Sequence, residues 1–260
     1  MKHCGRLVAC LLLLDSVFAC AADGPQPPIV AKASEQISSF LDVFSDVKCT
    51  EQVAQLKLRK SGKVDVEEDS TFDYLVIAQS SGGELSLEES RLEEKGALHR
   101  KNVSLLMTNG FATLLLIFHP QYANAFEFAP GGEEVVNGRR LELIRFRHLK
   151  GRRTPMALML RGREYPLELT GTAWVDPQTA AVARIHVELQ DSMEDVGLRG
   201  LSSDVVYSEV KFRGANGSAW LPTTATIDVE TPRQHWRNIH RFTNYQRFSV
   251  NTEESVKATP

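Results

Sequence analysis

Alternation of apolar and polar residues with a period of two runs through most of this sequence. Between positions 54 and 58, for example, Ala54, Leu56 and Leu58 alternate with Gln55 and Lys57. Because successive side chains of a β-strand point to opposite faces, such segments are predicted as strands with one apolar face. The same pattern recurs at 72–78, 85–87, 141–147, 156–160, 165–175, 182–189, 205–212, 223–229 and 236–250. A chain with so many two-faced strands must build a sheet.

Short turn signals separate these segments and favour antiparallel neighbours. Asn137-Gly138, Arg161-Gly162 and the stretch 176–179 contain residues that tolerate tight turns. The polar face of the strands implies that one side of the sheet contacts water. Few helical segments remain to cover the other side, so the sheet is expected to curl around its own concave face. We therefore predict a mainly β (α+β) fold, a curved antiparallel sheet or half-open β-barrel.

Two segments break the strand pattern. From 30 to 47 the apolar residues recur at steps of three and four, which predicts an N-terminal amphipathic helix lying on an apolar surface. The segment 111–118 also has apolar residues at helical spacing, but the residues between them are apolar as well. Such a segment must be buried, either as a short helical insertion that covers the concave face or as a strand over 113–118.

The first 22 residues have the pattern of an export signal. Lys2 and Arg6 precede an apolar run at 7–14 that is too short to span a bilayer, and small residues follow at 19–22. Two processing routes stay open: ordinary signal-peptidase cleavage, or a lipobox-like cut that leaves Cys20 as a lipidated N-terminus. We predict an exported protein of the bacterial periplasm, tethered to the outer membrane if Cys20 carries lipid.

The predicted organisation therefore has four parts. A signal peptide occupies 1–22, a Pro- and Gly-rich linker 23–29, a domain 30–250 and a polar tail 251–260. A single domain is expected over 30–250, because that stretch contains no long polar linker that would divide it.

The sequence offers little for catalysis. It has no phosphate-binding P-loop and no dinucleotide-binding glycine run. Ser202 follows Gly200-Leu201 as in a nucleophile elbow, but Asp204 stands where that turn needs glycine. The histidines after the signal lack the spacing of a metal site, and Cys49 is interpreted as a small buried residue. No catalytic residue, metal or cofactor is predicted.

The formal net charge of -3 conceals two oppositely charged blocks. Between 139 and 163 nine Lys or Arg residues stand against Glu142 alone, and between 65 and 94 ten acidic residues stand against Arg91 alone. The interpretation that we favour places the two blocks on neighbouring strands whose outer faces pair. The other interpretation makes the basic hairpins a surface for anionic lipid headgroups or an acidic partner. This patch would consist of Arg145, Arg147, Lys150, Arg152 and Arg153.

A turn in the second half of the chain carries a family resemblance. Gly171-Thr172-Ala173-Trp174-Val175-Asp176-Pro177-Gln178-Thr179 leads into Val182-Ala183-Arg184-Ile185. A G-x-x-W-[IV]-D-x-x-[ST] hairpin feeding an R-[IV] strand recurs in the LolA/LolB-like bacterial lipoprotein carrier superfamily. Together with the export signal, the N-terminal helix and the meander, it makes residues 30–250 resemble that group. The resemblance implies an incomplete antiparallel barrel whose helix-covered concave face holds acyl chains.

The same resemblance points to large apolar side chains as the lining of a cavity. Ordinary core packing is an equally good explanation for each of them, since a cavity lining and a core use the same side chains. The candidate lipid-binding residues are Phe111, Leu114, Leu115, Phe118, Met156, Leu158, Leu160 and Trp174.

We therefore expect a non-catalytic protein of the cell envelope, carrier-like or receptor-like, that binds lipid acyl chains or a lipoprotein by desolvation. An envelope sensor or protein-interaction module on the same fold is the alternative, and a secreted enzyme is the third hypothesis. Nucleic acid is not a predicted partner, because an exported chain rarely meets it and the basic stretch lacks interleaved aromatic residues.

Overall fold

The structure is a computed structural model that describes residues 26–44, 47–81, 84–93, 108, 110–160, 162–212 and 218–247. The predicted signal peptide, Cys20 and the predicted tail at 251–260 lie outside the described residues. Within the described part of the chain, no helix combines the length and apolar character that crossing a membrane requires.

Strands account for most of the described residues. The helical elements are α1 (Pro28–Phe44), a 3₁₀ helix (Thr113–Phe118), α2 (Pro120–Ala123) and a second 3₁₀ helix (Glu194–Val196). The strands are β1 (Val47–Leu58), β2 (Val64–Ser81), β3 (Glu84–Glu93), β4 (Phe126–Val136), β5 (Arg139–His148), β6 (Ala157–Leu160), β7 (Arg163–Pro166), β8 (Leu169–Val175), β9 (Val182–Leu189), β10 (Gly200–Lys211), β11 (Ser218–Glu230) and β12 (His235–Arg247). The mainly β class predicted from the alternation is confirmed.

Ten of the strands form one antiparallel sheet, in the order β3-β2-β1-β12-β11-β10-β9-β8-β5-β4. Most neighbours are consecutive along the chain, as in a meander. The exceptions are β1, which pairs with β12 near the other end of the domain, and β5, which pairs with β8. Between β5 and β8 the chain forms a separate hairpin from β6 and β7. The edge strands of the described sheet are β3 and β4, so the sheet is not closed.

The two edges of the sheet are connected through α2. The backbone N–H of Leu85 in β3 donates to Gln121 Oε1 at 2.9 Å, and the Tyr122 hydroxyl donates to Leu85 O at 2.8 Å. α2 leads directly into β4, the opposite edge. The half-open, curved arrangement predicted from the sequence is therefore confirmed.

The inner face is covered by α1 and by the 3₁₀ helix at 113–118, which contact each other. All residues from Leu114 to Phe118 are buried, so the prediction of a short buried helix is confirmed and the alternative of a strand is wrong. This helix ends at Phe118 because His119 precedes Pro120 and takes an extended conformation. α1 starts at Pro28, two residues before the predicted helix at 30–47, and thus includes the end of the linker predicted at 23–29.

In β1, the side chains at 54 and 56 do not point to the inside of the sheet, although the apolar alternation indicates that they should. Ala54 and Leu56 are only half-buried, whereas Glu51 and Gln55 are buried at 0% and 4% exposure. The prediction that Ala54 and Leu56 belong to the inner face is therefore wrong. The reason lies in the partner strand, because Gln55 lies opposite Asn238 of β12, which is also buried. The inner face of these two strands therefore carries polar side chains beside buried apolar ones such as Val53 and Phe242.

One strand and one strand boundary also differ from the sequence pattern. The alternation does not predict β4, because Pro130 and the glycines at 131–132 interrupt it. An edge strand tolerates proline, and a bulge between Pro130 and Gly132 restores the pairing with β5. The predicted strand at 165–175 is divided, since Tyr165 belongs to β7 and pairs with Leu158 of β6.

The predicted pairing between the acidic and basic blocks is wrong. The acidic block forms β2 and β3 at one edge, and six strands separate β2 from the basic strand β5. β5 pairs instead with acidic residues of β4: Arg147 Nη2 lies 2.6 Å from Glu127 Oε2, and Arg140 Nη1 lies 3.5 Å from Glu133 Oε2. The charges of β5 are thus balanced in part by its neighbour β4 and not by the acidic block.

Gly171 in β8 provides a test of the packing between β8 and its neighbours. A Cβ atom at this position would lie 2.1 Å from His186 O and 2.9 Å from Phe146 Cζ. We expect Gly171→Ala to push β8 away from β9 and to lower the free energy of unfolding by about 3 kcal/mol in urea titrations. The control is Thr172→Ala on the opposite face of the same strand, expected to change it by less than about 1 kcal/mol. Equal losses in the free energy of unfolding from the two substitutions would contradict the close packing of β8 against β9 at Gly171.

Candidate functional site

A cavity of about 500 Å³ lies between the inner face of the sheet and the β6–β7 hairpin. Its wall is mainly apolar and combines side chains of the 3₁₀ helix, the hairpin and strands β8 to β11, among them Leu116, Leu169 and Val229. The exposed residues Met159 and Glu164 also line it, so the cavity reaches the surface. Small-molecule sites usually occupy roughly 300 to 1,000 Å³, and this volume is sufficient for a ligand.

Three of the eight predicted cavity residues lie on this wall. Leu114 comes from the 3₁₀ helix, Met156 precedes β6, and Leu158 belongs to β6. The helix and hairpin approach closely at Gly110, where a Cβ atom would lie 2.7 Å from Met156 Cε and where φ is +104°. The structure brings these three residues together, and their contact with a ligand remains a prediction.

Three further candidates are buried in the core away from this cavity. The ring centroid of Phe111 lies 4.5 Å from that of His240, and the ring centroid of Phe118 lies 5.3 Å from that of Phe128. Leu115 borders a separate, much smaller crevice beside α1. Since the 3₁₀ helix is apolar on every side, its residues divide between the cavity and the core.

Trp174 and Leu160 also lie off the cavity wall. Trp174 is on the outer face of the sheet, where its ring centroid lies 4.5 Å from the guanidinium carbon of Arg184 and its Nε1 donates to Glu134 Oε2 at 2.6 Å. Leu160, at the end of β6, is 37% exposed. Strand alternation explains the position of Trp174, because its neighbours Ala173 and Val175 are the fully buried residues.

A buried polar cluster, absent from the sequence predictions, lies on the inner face of β1, β3 and β12. We name it the Glu51 cluster; its members are Glu51, Glu89, Arg91, Thr108, Asn238 and His240. Arg91 forms a bidentate pair with Glu51, with Nη2 2.7 Å from Oε1, and the Nε of Arg91 donates to Oε2. His240 Nδ1 lies 2.8 Å from Glu51 Oε1. Because Nδ1 faces a carboxylate, it carries the proton, and Nε2 accepts from the Thr108 hydroxyl at 2.9 Å.

The Glu51 cluster holds the chain that leads into the 3₁₀ helix. Arg91 Nη2 donates to Thr108 O at 3.1 Å. The Glu89 carboxylate accepts from the backbone N–H of Gly110 at 2.9 Å and of Ala112 at 3.2 Å. Glu89, Thr108 and Gly110 also line the cavity. The cluster therefore forms a polar end of the cavity and anchors the segment that bounds it.

Burial and hydrogen bonding shift the pKa values of the cluster in different directions. It disfavours the Glu51 carboxylate, but the hydrogen bonds from Arg91 and His240 outweigh this effect and hold the pKa of Glu51 below its ordinary value. Burial raises the pKa of Glu89, since the N–H of Gly110 and the charge of Arg91 do not fully replace water. Burial also lowers the pKa of His240, so the imidazole is neutral at pH 7. Among Glu51, Arg91 and His240, the two groups that are charged at neutral pH are therefore Glu51 and Arg91.

The signal that could have revealed this cluster is a polar residue at an inward strand position. Glu51 and Gln55 on β1, and Asn238 and His240 on β12, recur at even spacing. On each strand these residues alternate with apolar residues of the same face, such as Val53 and Phe242. Only the pairing of β1 with β12 shows that the polar side chains of the two strands meet inside the protein.

Cys49 is a poor candidate for a nucleophile. Cys49 is buried, and burial raises the pKa of its thiol to about 12, so the thiol stays protonated and is a poor nucleophile. Among the described residues, no group of three His, Cys, Asp or Glu side chains is placed to hold a metal ion.

The predicted basic patch is partly engaged with neighbouring residues. Arg147 Nη2 donates to Glu127 Oε2 at 2.6 Å, and the guanidinium carbon of Arg153 lies 5.7 Å from the ring centroid of Tyr122. The other members are the exposed residues Arg145, Lys150 and Arg152. The stretch 150–153 connects β5 to the β6–β7 hairpin, so part of the patch lies beside an element of the cavity wall.

The chain matches no protein-family model and no curated protein. Solved structures with a similar backbone include a DUF1329 family protein from Desulfovibrio piger, with 12% identity, a TM-score of 0.44, and coverage of 84% of this chain and 91% of that one. A putative outer membrane lipoprotein-sorting protein domain from Vibrio parahaemolyticus has 10% identity and a TM-score of 0.42, with 86% and 94% coverage.

A LolA superfamily protein from Nitrosomonas europaea has 9% identity and a TM-score of 0.39, and the match covers 86% of this chain and 93% of that one. The superfamily that the sequence resembles is thus represented among these structures.

The Glu51–Arg91 pair can be tested by removing its cation. We expect Arg91→Met to lower the free energy of unfolding by about 3 to 5 kcal/mol at neutral pH, because the Glu51 carboxylate would be left buried without its partner. The matched control is Arg59→Met. Arg59 pairs with Asp65 at 2.7 Å, but the side chains are 65% and 36% exposed, so the expected loss is at most about 1 kcal/mol. Urea unfolding of both variants measures the difference.

The difference in the free energy of unfolding between the wild type and Arg91→Met should depend on pH. The pKa of Glu51 is depressed in the folded protein, so the stabilisation by Arg91 is complete above the unfolded carboxyl pKa and is lost as the pH falls through the folded pKa. The gap between the wild type and Arg91→Met should therefore narrow below about pH 4.3. A gap that stays constant or widens in acid would contradict this assignment.

Proposed function

We propose that the protein is a non-catalytic lipid or lipoprotein binding protein of the bacterial cell envelope, which holds an acyl chain in the cavity beside the β6–β7 hairpin. The observation that carries the proposal is the cavity itself, about 500 Å³ in volume, walled mainly by Leu, Met and Val side chains and open to the surface. An alkyl chain has no polar group to leave unsatisfied against such a wall. Carrier-like and receptor-like roles both need this site.

The strength of such binding follows from the area that it removes from water. Each buried methylene contributes about 0.8 kcal/mol, so a chain that buries about ten methylenes gains roughly 8 kcal/mol before the cost of ordering it. Reversible binding therefore needs no covalent step and no cofactor. The buried, protonated thiol of Cys49 agrees with a non-catalytic role.

The export signal supports an envelope location for this activity. Removal of residues 1–22 would release the protein into the periplasm, and a lipid on Cys20 would tether it to the outer membrane. In either form the acyl chain would come from a lipid or from the acylated end of a lipoprotein.

Leu158 and Leu160 form a matched pair for testing the cavity. Both belong to β6, but Leu158 lines the cavity, whereas Leu160 lies off its wall and is exposed. We expect the wild type to retain lipid in native mass spectrometry, which also reports the state of Cys20. Leu158→Glu should lose this lipid and bind a neutral fluorescent monoacylglycerol at least about tenfold more weakly, because a carboxylate in the wall disfavours an apolar ligand. Leu160→Glu should behave like the wild type.

Equal loss in both variants would contradict the assignment of the cavity wall. A wild-type protein that carries no lipid and does not bind the monoacylglycerol would contradict the function. A protein partner purified in place of lipid would favour the alternative, an envelope sensor or interaction module on the same fold.

The basic residues beside the hairpin support a contact with a membrane surface during loading or release. Arg152 is exposed, and Arg153 lies in the same connection between β5 and β6. Each Lys or Arg near an anionic membrane contributes about 1 kcal/mol of attraction. The partner in this part of the proposal is the anionic lipid headgroup.

Charge reversal tests this contact. Arg152→Glu combined with Arg153→Glu should reduce cosedimentation with phosphatidylglycerol vesicles by about tenfold or more, since two attractive charges become repulsive. The control combines Arg233→Glu with Arg241→Glu, two exposed positions in the turn before β12 and on β12 that give the same change in net charge. Equal losses would indicate a general charge effect and would contradict a contact through this connection.

A further inference from the structure

The Glu51 cluster places a hydroxyl, an imidazole and a carboxylate in series. Thr108 Oγ1 lies 2.9 Å from His240 Nε2, and His240 Nδ1 lies 2.8 Å from Glu51 Oε1. Both are hydrogen-bond distances, and the two bonds use the two different nitrogens of one ring. A hydroxyl bonded to a base, with a third group that orients the base, is the arrangement that activates a hydroxyl for acyl transfer.

The protonation states of the three groups suit this role at neutral pH. Glu51 and His240 are buried at 0% and 1% exposure. Burial disfavours the Glu51 carboxylate, but hydrogen bonds from Arg91 and His240 hold its pKa below its ordinary value. Burial lowers the pKa of His240, so its Nε2 keeps the lone pair that accepts from Thr108. An ionised carboxylate thus orients a neutral imidazole.

The hydroxyl at one end of this series faces the cavity. Thr108 lines the same space as Leu114 and Leu169, so an acyl chain between these apolar side chains brings its ester end towards Thr108. The Thr108 hydroxyl donates to His240 Nε2 and accepts from Asn238 Nδ2 at 3.0 Å. Since a hydroxyl oxygen has two lone pairs, these two bonds leave one lone pair for a bond to a ligand.

We propose that Thr108 is an acylation site that takes the acyl group from a carboxylic ester whose chain lies in the cavity. The inference rests on the proposed function, because the same cavity would hold the chain. Glu51 acts only as a positioning residue, through its bond to the imidazole.

The reaction needs only the ester and the three side chains. Thr108 Oγ1 forms a bond to the carbonyl carbon of the ester, and the hydroxyl proton passes to His240 Nε2. The bond between that carbon and the alcohol oxygen of the ester then breaks, and the imidazolium returns the proton to the departing oxygen. The products are O-acylated Thr108 and one free alcohol. The acyl group stays on the protein, so the step is a modification of Thr108 and not a turnover reaction.

Asn238 provides a donor for the negative charge that develops on the carbonyl oxygen. Its Nδ2 lies 3.0 Å from Thr108 Oγ1, the attacking oxygen, and the carbonyl oxygen of the intermediate is bonded to the same carbon as that oxygen. Preorganised donors at this position stabilise the intermediate. A single amide donor supports a slow step, measured over minutes to hours.

The test uses p-nitrophenyl decanoate, an ester with a good leaving group and a single chain. The wild-type protein, incubated with it at neutral pH, should gain the mass of one decanoyl group, and peptide mapping should place that group on Thr108. Thr108→Val keeps the shape but lacks the hydroxyl, so the adduct should be lost. Thr108→Ser keeps the hydroxyl and should be acylated. The control is Thr224→Val, at an exposed position of β11 off the cavity wall, and should behave like the wild type.

Two measurements assign the base. His240→Gln should slow the acylation of Thr108 by about 100-fold, a typical contribution of general-base catalysis. In the wild type the rate should be level above pH 7 and should fall as the pH drops below about 6.5, because only the neutral imidazole accepts the proton. The depressed pKa of His240 puts this fall below the ordinary imidazole value. The charged groups that face His240 in the described structure are Glu51 of β1 and Arg91 of β3, and both stay ionised in this range. An unchanged rate in His240→Gln, or no fall in acid, would overturn the activation by the cluster.

Thr108 also anchors the segment before the 3₁₀ helix, so each variant needs a control for its fold. 1-O-Decylglycerol has the same chain length but no carbonyl group, and it should displace a polarity-sensitive dye from the wild type and from Thr108→Val with affinities within a few fold of each other. A variant that binds this ether and forms no adduct has lost the chemistry and kept the cavity.

Two negative results have different meanings. A wild-type protein that binds the ether but forms no adduct on Thr108, or carries decanoyl groups only on lysines that persist in Thr108→Val, would overturn the acylation and leave acyl-chain binding in place. A wild-type protein that does not bind the ether would overturn the proposed function, and the inference with it.

Discussion

Burial of one short apolar segment in the concave face of the sheet is the interaction on which the rest of this structure depends. Ten strands with one apolar face need a covering layer, and α1 covers only part of it. The 3₁₀ helix at 113–118 supplies much of the remainder, because it is apolar on every side and buried from Leu114 to Phe118. The cavity exists where this helix and the β6–β7 hairpin leave the inner face of the sheet uncovered.

The Glu51 cluster determines where that segment enters the interior. A buried ion pair adds little stability compared with an apolar core of the same volume, because both charges lose their hydration. Its contribution here is positional: Arg91, Asn238 and His240 all bond Thr108, while Glu89 bonds the backbone at Gly110 and Ala112. The same side chains that anchor the segment give the cavity its polar end. The anchor and the ligand site are therefore parts of one arrangement.

Local patterns predicted the features that depend on local physics. Alternation in β8 to β12 identifies strands because a sheet with one wet side leaves that pattern in each strand. The segment 111–118 had to be buried, since no side of it suits water. The cavity wall was predicted less completely: Leu114, Met156 and Leu158 line it, whereas Phe118 and Trp174 pack elsewhere. Apolar character is common to a core and a lining, so sequence alone does not separate the two.

The amino-acid sequence by itself determined the strand-rich class, the burial of 111–118 and the presence of two opposite charge blocks. The tertiary structure alone decided which strands are neighbours. It separated the acidic strand β2 from the basic strand β5 by six strands, and it brought Glu51 to His240 across 189 positions of the chain. The physical reason is that side-chain periodicity assigns faces within a strand, whereas register and strand order arise from long-range pairing. The burial of Glu51 and Gln55 on β1 becomes recognisable only when β12 lies beside it.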